Sequence, residues 1–350
     1  MKDFNFNIKI PNNLIKNEPP IIKDNAKLMI INKKNFNIKH DKLINILKYF
    51  NKGDVIIRNN TKSYPIYIKG IKDKTKSKIK ILLLREINKK KNIWDVLVNP
   101  ARKVRIGNKI FFKYKNNNKF LSLEIIDNTT SKGRIVKFLY KKNKKLIKKI
   151  NLISKLNLPE YIKYNKNINI KNYQNIYAKK KGSIILPTSG IHFSKNIFLK
   201  LIIKGIKITD ITLHHNINIK NIINIEDLSK LKVNSEKLII KKKNCKIINK
   251  AKKKKKNICC IGINTLKGIE SSINYNNYLK KFNGWTNKFI YYPYKFNIVK
   301  SLISTFCKPN TIPFIILSTF CGYNNIFKIY NEAIKYKYNF LSYGDLMLIK

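Results

Sequence analysis

The feature that most constrains this chain is a change of texture partway along it. Between about residues 63 and 140, apolar and polar residues alternate in short runs, at 64–68, 79–87, 109–114, 120–126 and 135–140. Turn formers such as Asn116-Asn117-Asn118 and Ser131-Lys132-Gly133 separate them. Alternation sends successive side chains to opposite faces of a strand, and several short strands at this spacing predict a small antiparallel β-barrel. On either side the period is different. Residues 42–50 have helical apolar spacing, stopped by Gly53, and 55–57 reads as a buried strand. After residue 141, strands alternate with helices. Ser194 is placed to cap a helix over 194–204, closed by Gly205, and a strand over 206–213 follows. The lysine run 252–256 ends another helix, where cations suit the negative end of the dipole. A core strand at 258–263 leads into a helix at 264–273. Further on, 289–291 looks strand-like and 311–320 and 326–336 helical. The expected architecture is α/β: a layered sheet with helices, built from residues 1–62 and 141–350, with a β-barrel domain inserted at residues 63–140.

Composition supports a folded chain. Of 350 residues, 43% are hydrophobic, with 19 Tyr and 18 Phe, enough to bury a core and to exclude wholesale disorder. The formal net charge of +57 points to a polyanionic partner, RNA or DNA. Only five of the 75 cations are Arg (Arg58, Arg85, Arg102, Arg105, Arg134), and Asn and Ile are abundant. Lys, Asn and Ile share A/T-rich codons, so base composition accounts for part of this charge. The five cysteines include no C-x-x-C pair, which fits reduced thiols better than a zinc site or a disulfide framework. Met1-Lys2-Asp3-Phe4 lacks the apolar core of a signal peptide. The longest apolar stretch, 312–323, is about a dozen residues, short of a bilayer span. A cytoplasmic, monomeric protein with no membrane partner is expected.

Four segments carry candidate chemistry. Pro187-Thr188-Ser189-Gly190-Ile191-His192-Phe193 lies between a strand at 183–186 and a helix. Gly190 lets a ligand approach the backbone, and a helix N-terminus favours anionic groups. The plainer alternative is a capped loop with His192 merely hydrogen-bonded. Thr212-Leu213-His214-His215 ends a strand, where ligands bind in open α/β sheets. In extended chain the two histidines point to opposite faces, which argues against a shared metal. A turn opens at Gly262, but its composition fits neither the P-loop nor the dinucleotide fingerprint, and Lys267 and Glu270 could simply pair on a helix face. Finally, Ser342-Tyr343-Gly344-Asp345 is a turn between apolar pieces, as in many hairpins.

Together and in this order, the segments resemble the S-adenosylmethionine:tRNA ribosyltransferase-isomerase family of queuosine biosynthesis. The family's P-T-A-G-L-H-F is similar to Pro187–Phe193, and its Y-Q-T-V-Y to Tyr173-Gln174-Asn175-Ile176-Tyr177. L-P-P-Y-I resembles Leu158-Pro159-Glu160-Tyr161-Ile162, and T-L-H resembles Thr212-Leu213-His214. I-Y-P-P-Y-x-F resembles Ile290-Tyr291-Tyr292-Pro293-Tyr294-Lys295-Phe296. The closing F-F-S-Y-G-D-A-M resembles Phe340 to Met347, and N-N-T-R resembles Asn59-Asn60-Thr61-Lys62. There are departures. Lys267 stands for an Arg and Thr265 for a Ser; Asn216 and Asn218 stand for glycines. Cys307 and Asn234 replace histidines, although Ser235-Glu236 remain, and Tyr67 replaces an Arg. Lys cannot make the bidentate fork of Arg.

The resemblance implies an α/β domain with an inserted barrel. It implies S-adenosylmethionine as a co-substrate that donates its ribosyl unit, with no metal. The acceptor is 7-aminomethyl-7-deazaguanine at the tRNA wobble position, and the products are epoxyqueuosine in tRNA, adenine and methionine. The sulfonium acidifies the adjacent carbon, so a base starts the rearrangement, and a neutral imidazole with a pKa of about 6.5 suits the task. By position in the matched blocks, His192 or His214 is the base and Asp345 orients a partner. Thr188, Gly190, Phe193, Gly262, Tyr343 and Gly344 are expected around S-adenosylmethionine. Asn60, Thr61, Lys62, Lys267, Glu270, Tyr292 and Tyr294 are expected at the tRNA, with Lys62 and Lys267 on phosphates. Phe193, Tyr292 and Tyr294 stack on bases or pack the core. The alternative is a catalytically weak or inactive RNA-binding protein of the same fold.

Overall fold

The structure is a computed structural model and describes residues 8–63, 67–114, 117–129, 133–140, 143–155, 161–162, 174–215, 228–231 and 233–350. Leu158, Pro159, Glu160, Tyr173, Asn216 and Asn218, the first three residues of the strand expected at 64–68, and Asn116, Ser131 and Lys132 lie outside the described residues. Contacts divide the chain into two units, one of Met1–Lys62 with Glu160–Lys350, the other Ser63–Pro159.

The chain begins with β1 (Lys27–Ile31), β2 (Ile38–Lys42), β3 (Val55–Asn59) and the short β4 (Thr61–Ser63). Six strands follow: β5 (Tyr67–Lys72), β6 (Lys78–Asn88), β7 (Ile93–Asn99), β8 (Lys109–Tyr114), β9 (Asn117–Asn128) and β10 (Gly133–Phe138). They close a barrel in the order β10-β7-β6-β5-β8-β9, every pair antiparallel. Alternate residues fill it: Ile79, Ile81 and Leu83 of β6, Trp94, Val96 and Val98 of β7, Ile110 and Phe112 of β8 are all buried. Gly70 of β5 leaves room for them, since a methyl there would stand 2.6 Å from Ile110 and Phe112. Register shifts in β6 supply irregularities of the kind that let a sheet bend and close. Helix α1 (Asn143–Ile153) buries Leu146 and Ile150, four residues apart, and belongs to this unit.

The other unit holds β11 (Lys180–Ser183), α2 (Lys195–Ile203), β12 (Lys207–His214), β13 (Glu236–Ile240), α3 (Lys242–Lys253), β14 (Ile258–Ile261), α4 (Ile263–Glu270), β15 (Phe282–Thr286), β16 (Ser301–Thr305), α5 (Ile312–Cys321), α6 (Tyr323–Lys335) and β17 (Leu346–Ile349). Nine strands make one sheet, in the order β15-β13-β12-β3-β14-β16-β17-β1-β2. Strands β14 (Ile258-Cys259-Cys260-Ile261) and β17 (Leu346-Met347-Leu348-Ile349) are apolar throughout because both faces are covered. Ile56, Cys259, Ile261 and Ile303 turn to one layer, against Ile197, Phe198 and Leu201 of α2 and Leu43 and Ile46. Val55, Ile57, Cys260 and Leu302 turn to the other, against α3, α4, α5 and α6 through Ile248, Leu266, Phe314 and Ile329. Each fully buried aliphatic side chain contributes about 1.5–3 kcal/mol.

Several expectations hold in detail. Ser194 Oγ accepts from Ile197 N at 3.2 Å at the start of α2, and Gly205 ends the helix with φ of +85°. Others shift. The segment 42–50 forms a 3-10 helix at Leu43–Tyr49, with Leu43 and Ile46 buried three apart. The strand expected at 183–186 lies earlier, at Lys180–Ser183. Residues 289–291 are not a strand; Phe289 and Tyr291 pack against each other, rings 5.2 Å apart, on the edge of the core just after β15.

Candidate functional site

Parallel strands β12, β3, β14 and β16 all end on the same edge of the sheet. Strand β17 runs antiparallel to β16, with Thr305 opposite Leu346, so the turn before β17 returns to that edge. The edge therefore gathers His214 at the end of β12 and His215 after it, Asn60 and Thr61 after β3, Gly262 after β14, Phe306 and Cys307 after β16, and Tyr343 to Asp345 before β17. Five strands at about 4.8 Å spacing span roughly 19 Å. This is the strand-end location at which open α/β sheets bind ligands.

The Pro187–Phe193 segment folds over the middle of this edge. Thr188–Gly190 is one 3-10 turn. Ser189 Oγ accepts from Thr305 N at 3.3 Å, and a methyl at Gly262, whose φ is +90°, would stand 3.7 Å from Ser189 Oγ. Gly190 is pressed against Tyr177: a methyl there would lie 1.9 Å from the hydroxyl. Asn175 Nδ2 donates to Pro187 O at 2.9 Å, while its Oδ1 is buried without a partner. His192 is buried, with neither ring nitrogen hydrogen-bonded. Burial, with Lys23 adding to it, pushes its pKa down to about 4, so the ring is neutral. Phe193 is fully buried and stacks on Phe198 at 5.3 Å, so as folded it packs the core. Arg58 lies 4.6 Å over the rings of Tyr177 and Phe198 and donates to Asp210 at 2.8 Å.

The adjacent histidines take separate partners, as extended backbone requires. His214 Nδ1 is 2.8 Å from Thr61 Oγ1. Its ring lies against Gly182, where a methyl would approach within 2.6 Å. Burial, then Lys237, lowers its pKa. Thr61 is fixed in turn by Asn59, whose Oδ1 accepts from Thr61 N and Leu213 N. Asn60 Oδ1 accepts from Thr212 Oγ1 at 2.6 Å. His215 instead places Nδ1 2.5 Å from Glu236 Oε1, and the other carboxylate oxygen takes the Lys267 ammonium. Burial alone would raise the Glu236 pKa, but His215 and Lys267 together hold it at about 2.

The remaining expected residues have well-defined surroundings. Lys267 is buried against Glu236, so its ammonium is not offered to solvent as a phosphate contact; Lys62 is half-buried. Glu270 does not pair with Lys267: its carboxylate accepts from Tyr294 Oη and from the backbone amides of Asn297, Ile298 and Val299, at 3.2–3.3 Å. Tyr292 is exposed. Asp345 is engaged by Lys27 N, Asn339 N and Asn339 Nδ2, a set that fixes the 339–345 turn. Gly344 fits that turn because any side chain would strike Asn339 O. Tyr343 is buried, and Ser342 Oγ is hydrogen-bonded to the Tyr161 hydroxyl. Thr188 is half-buried. Sequence reasoning missed the His215–Glu236–Lys267 chain; the retained Ser235-Glu236 pair was its one visible sign. Among the described residues there is no group of three His, Cys, Asp or Glu able to hold a metal, and no helix long and apolar enough to cross a membrane.

The family model described as queuosine biosynthesis protein matches residues 1–349. The chain is 41% identical, over the full length of both, to the S-adenosylmethionine:tRNA ribosyltransferase-isomerase of Flavobacterium psychrophilum. It is 40% identical, again over both full lengths, to the protein so named from Cytophaga hutchinsonii. Among solved structures, the S-adenosylmethionine tRNA ribosyltransferase of Thermotoga maritima is similar, with a TM-score of 0.55 over 99% of each chain at 23% identity, a likeness of fold.

Proposed function

Since the chain belongs to the queuosine biosynthesis protein family, we propose that it transfers and isomerises the ribosyl moiety of S-adenosylmethionine onto 7-aminomethyl-7-deazaguanine in tRNA. The product is epoxyqueuosine in tRNA, with adenine and methionine released. The observation that carries this reading is the full-length identity of 41% to a ribosyltransferase-isomerase, on a fold whose sheet edge collects the matched segments.

S-adenosylmethionine lies along the edge between Thr188, Gly190 and Gly262 and the Tyr343–Gly344 turn, with Phe193 behind the site. The acceptor base enters beside Asn60, Thr61 and Tyr292, and the anticodon region of the tRNA follows Lys62. Lys267, Glu270 and Tyr294 support this side, and Asp345 holds the 339–345 turn. His192 or His214 removes the proton that the sulfonium makes acidic. Both suit the role chemically: burial disfavours the imidazolium at each, so each is available as a neutral base. The protein acts in the cytoplasm as a monomer and uses no metal. Residues 1–62 and 160–350 form its catalytic domain and residues 63–159, with α1, its inserted barrel domain.

Purified protein with S-adenosylmethionine and acceptor-bearing tRNA should release adenine, and should not do so with tRNA lacking the acceptor amine. If His192→Ala and His214→Ala both kept full adenine release, neither histidine would be the base.

A further inference from the structure

Helix α3 has an outer face made only of lysine. Every exposed residue from 241 to 256 is Lys: 241, 242, 243, 246, 250, 253, 254 and 255. With 3.6 residues per turn, Lys242, Lys243, Lys246, Lys250 and Lys253 fall within an arc of about 100°, in a stripe roughly 16 Å long. The opposite side of the helix, through Cys245, Ile248 and Ala251, is sealed against the sheet.

Base composition does not explain this stripe, because other helices of the same chain are built differently. The exposed positions of α2 are Lys195, Asn196, Leu199, Lys200, Ile202 and Ile203, and those of α6 are Asn324, Lys328, Asn331 and Lys335. Asn and Ile share the codon bias of Lys; exposed Asn appears on both of those faces and exposed Ile on that of α2, yet neither is exposed on α3. Nor does the chain neutralise the stripe. No acidic residue occurs between Glu236 and Glu270, and none of the ion pairs among the described residues includes a lysine of α3. The helix dipole favours cations only in the last turn, so Lys242 and Lys243 stand at its unfavourable end. Pairs three and four apart, such as Lys242 with Lys246 and Lys246 with Lys250, repel. A bound polyanion relieves that repulsion and gains by counterion release.

We propose that the lysine face of α3 is a docking surface for the phosphodiester backbone of the tRNA substrate, away from the reacting base. This rests on the reading that tRNA is the substrate. Helix α3 packs on β12, β3 and β14, the same strands whose ends form the candidate site. At about 3.3 Å per residue, the eight-residue β12 is roughly 26 Å long, and the outer face of α3 stands about 10–12 Å off the sheet, so an RNA reaching from the strand ends to the lysine face covers on the order of 30 Å. The contact is to phosphates, so it carries no base specificity.

The test compares full-length parent protein with Lys243→Gln/Lys246→Gln/Lys250→Gln on α3 and with Lys195→Gln/Lys200→Gln/Lys328→Gln, which removes the same charge from α2 and α6. All six positions are exposed, so folding is preserved, checked by the unfolding midpoint. Affinity for tRNA is measured against salt, alongside steady-state kinetics. The α3 variant should lose about 2–3 from the slope of log affinity against log salt and raise KM for tRNA about tenfold. Its kcat and its KM for S-adenosylmethionine should stay at the parent values, and the α2/α6 variant should match the parent. The proposal is overturned if the α3 variant keeps the parent slope, or if both variants lose it equally, which marks a diffuse field. Binding to phosphatidylserine vesicles that depends on the α3 lysines while tRNA binding does not would also overturn it. Failure of the parent to bind tRNA would sink the substrate reading itself, and this surface with it.

Discussion

Glu236 Oε1, on β13, lies 2.5 Å from Nδ1 of His215, which stands 21 positions earlier and just past the end of the neighbouring antiparallel β12. The other oxygen of the same carboxylate carries the Lys267 ammonium, so one buried anion serves an imidazole and an ammonium. Removing the anion leaves Lys267 buried and uncompensated. Glu236→Gln should therefore destabilise the fold by on the order of 3 kcal/mol, and Lys267→Met by a similar amount, whereas Lys267→Arg, which keeps the charge, should cost much less. Chemical denaturation measures all three, and equal stability of parent and Glu236→Gln would contradict the buried network.

The same carboxylate sets an acid limit. Its folded pKa, about 2, is below its ordinary value of 4.5. A depressed carboxylate pKa gives stability that is complete above pH 4.5 and is lost as pH falls toward 2. The parent should lose stability in that window faster than Glu236→Gln does. Parallel pH profiles would contradict this.

His192 acts in a higher window and through desolvation. Its folded pKa of about 4 lies below the ordinary 6.5, so the unfolded chain binds the proton more readily between those values. Stability should fall as pH drops from 6.5 to 4, by about 3 kcal/mol at most. His192→Leu removes the titrating group and should flatten the unfolding midpoint over that range. A variant profile as steep as the parent's would show that the ring is not held neutral by burial.

The 188–190 turn depends on an absent side chain. Gly190→Ala would drive a methyl into the Tyr177 hydroxyl and should cost about 1–3 kcal/mol together with most of the adenine-release activity. Adding Tyr177→Phe removes the nearest clashing atom and should recover part of both losses. A stable, active Gly190→Ala would show that the turn tolerates displacement.

Gly182 and Thr61 hold His214 from two sides. Gly182→Ala would press on the imidazole, and Thr61→Val would delete its hydrogen bond, so both should lower kcat more than tenfold if His214 is the base. Thr61→Ser keeps the hydroxyl and should remain within a fewfold of the parent. If Thr61→Val behaves like Thr61→Ser, the bond has no part in catalysis.

Local signals in the chain are legible where local physics decides the outcome. Ser194 and Gly205 bracket α2 because a cap and a left-handed terminus need only their own neighbours. Alternation exposed most of the barrel, although β7, with Trp94 inside it, escaped notice. What could not be read depends on distant partners. Leu346–Ile349 resembles the second arm of a hairpin, yet it lies between β16 and β1, about 40 residues away from one and over 300 from the other. Phe289 and Tyr291 alternate like a strand but pack beside the core without a ladder. The same limit applies to the site. His192 and His214 stood out as residues at turns and strand ends, whereas the partner of His215 is fixed by the register of His214 with Lys237, which no local pattern reveals.

Whether this chain builds the queuosine precursor on tRNA is decided by the mass of the wobble nucleoside. After incubation with S-adenosylmethionine, acceptor-bearing tRNA should be digested and analysed by mass spectrometry. The 7-aminomethyl-7-deazaguanine nucleoside should disappear, replaced by epoxyqueuosine in step with the adenine released. An unchanged nucleoside with folded, tRNA-bound protein would contradict the proposed activity.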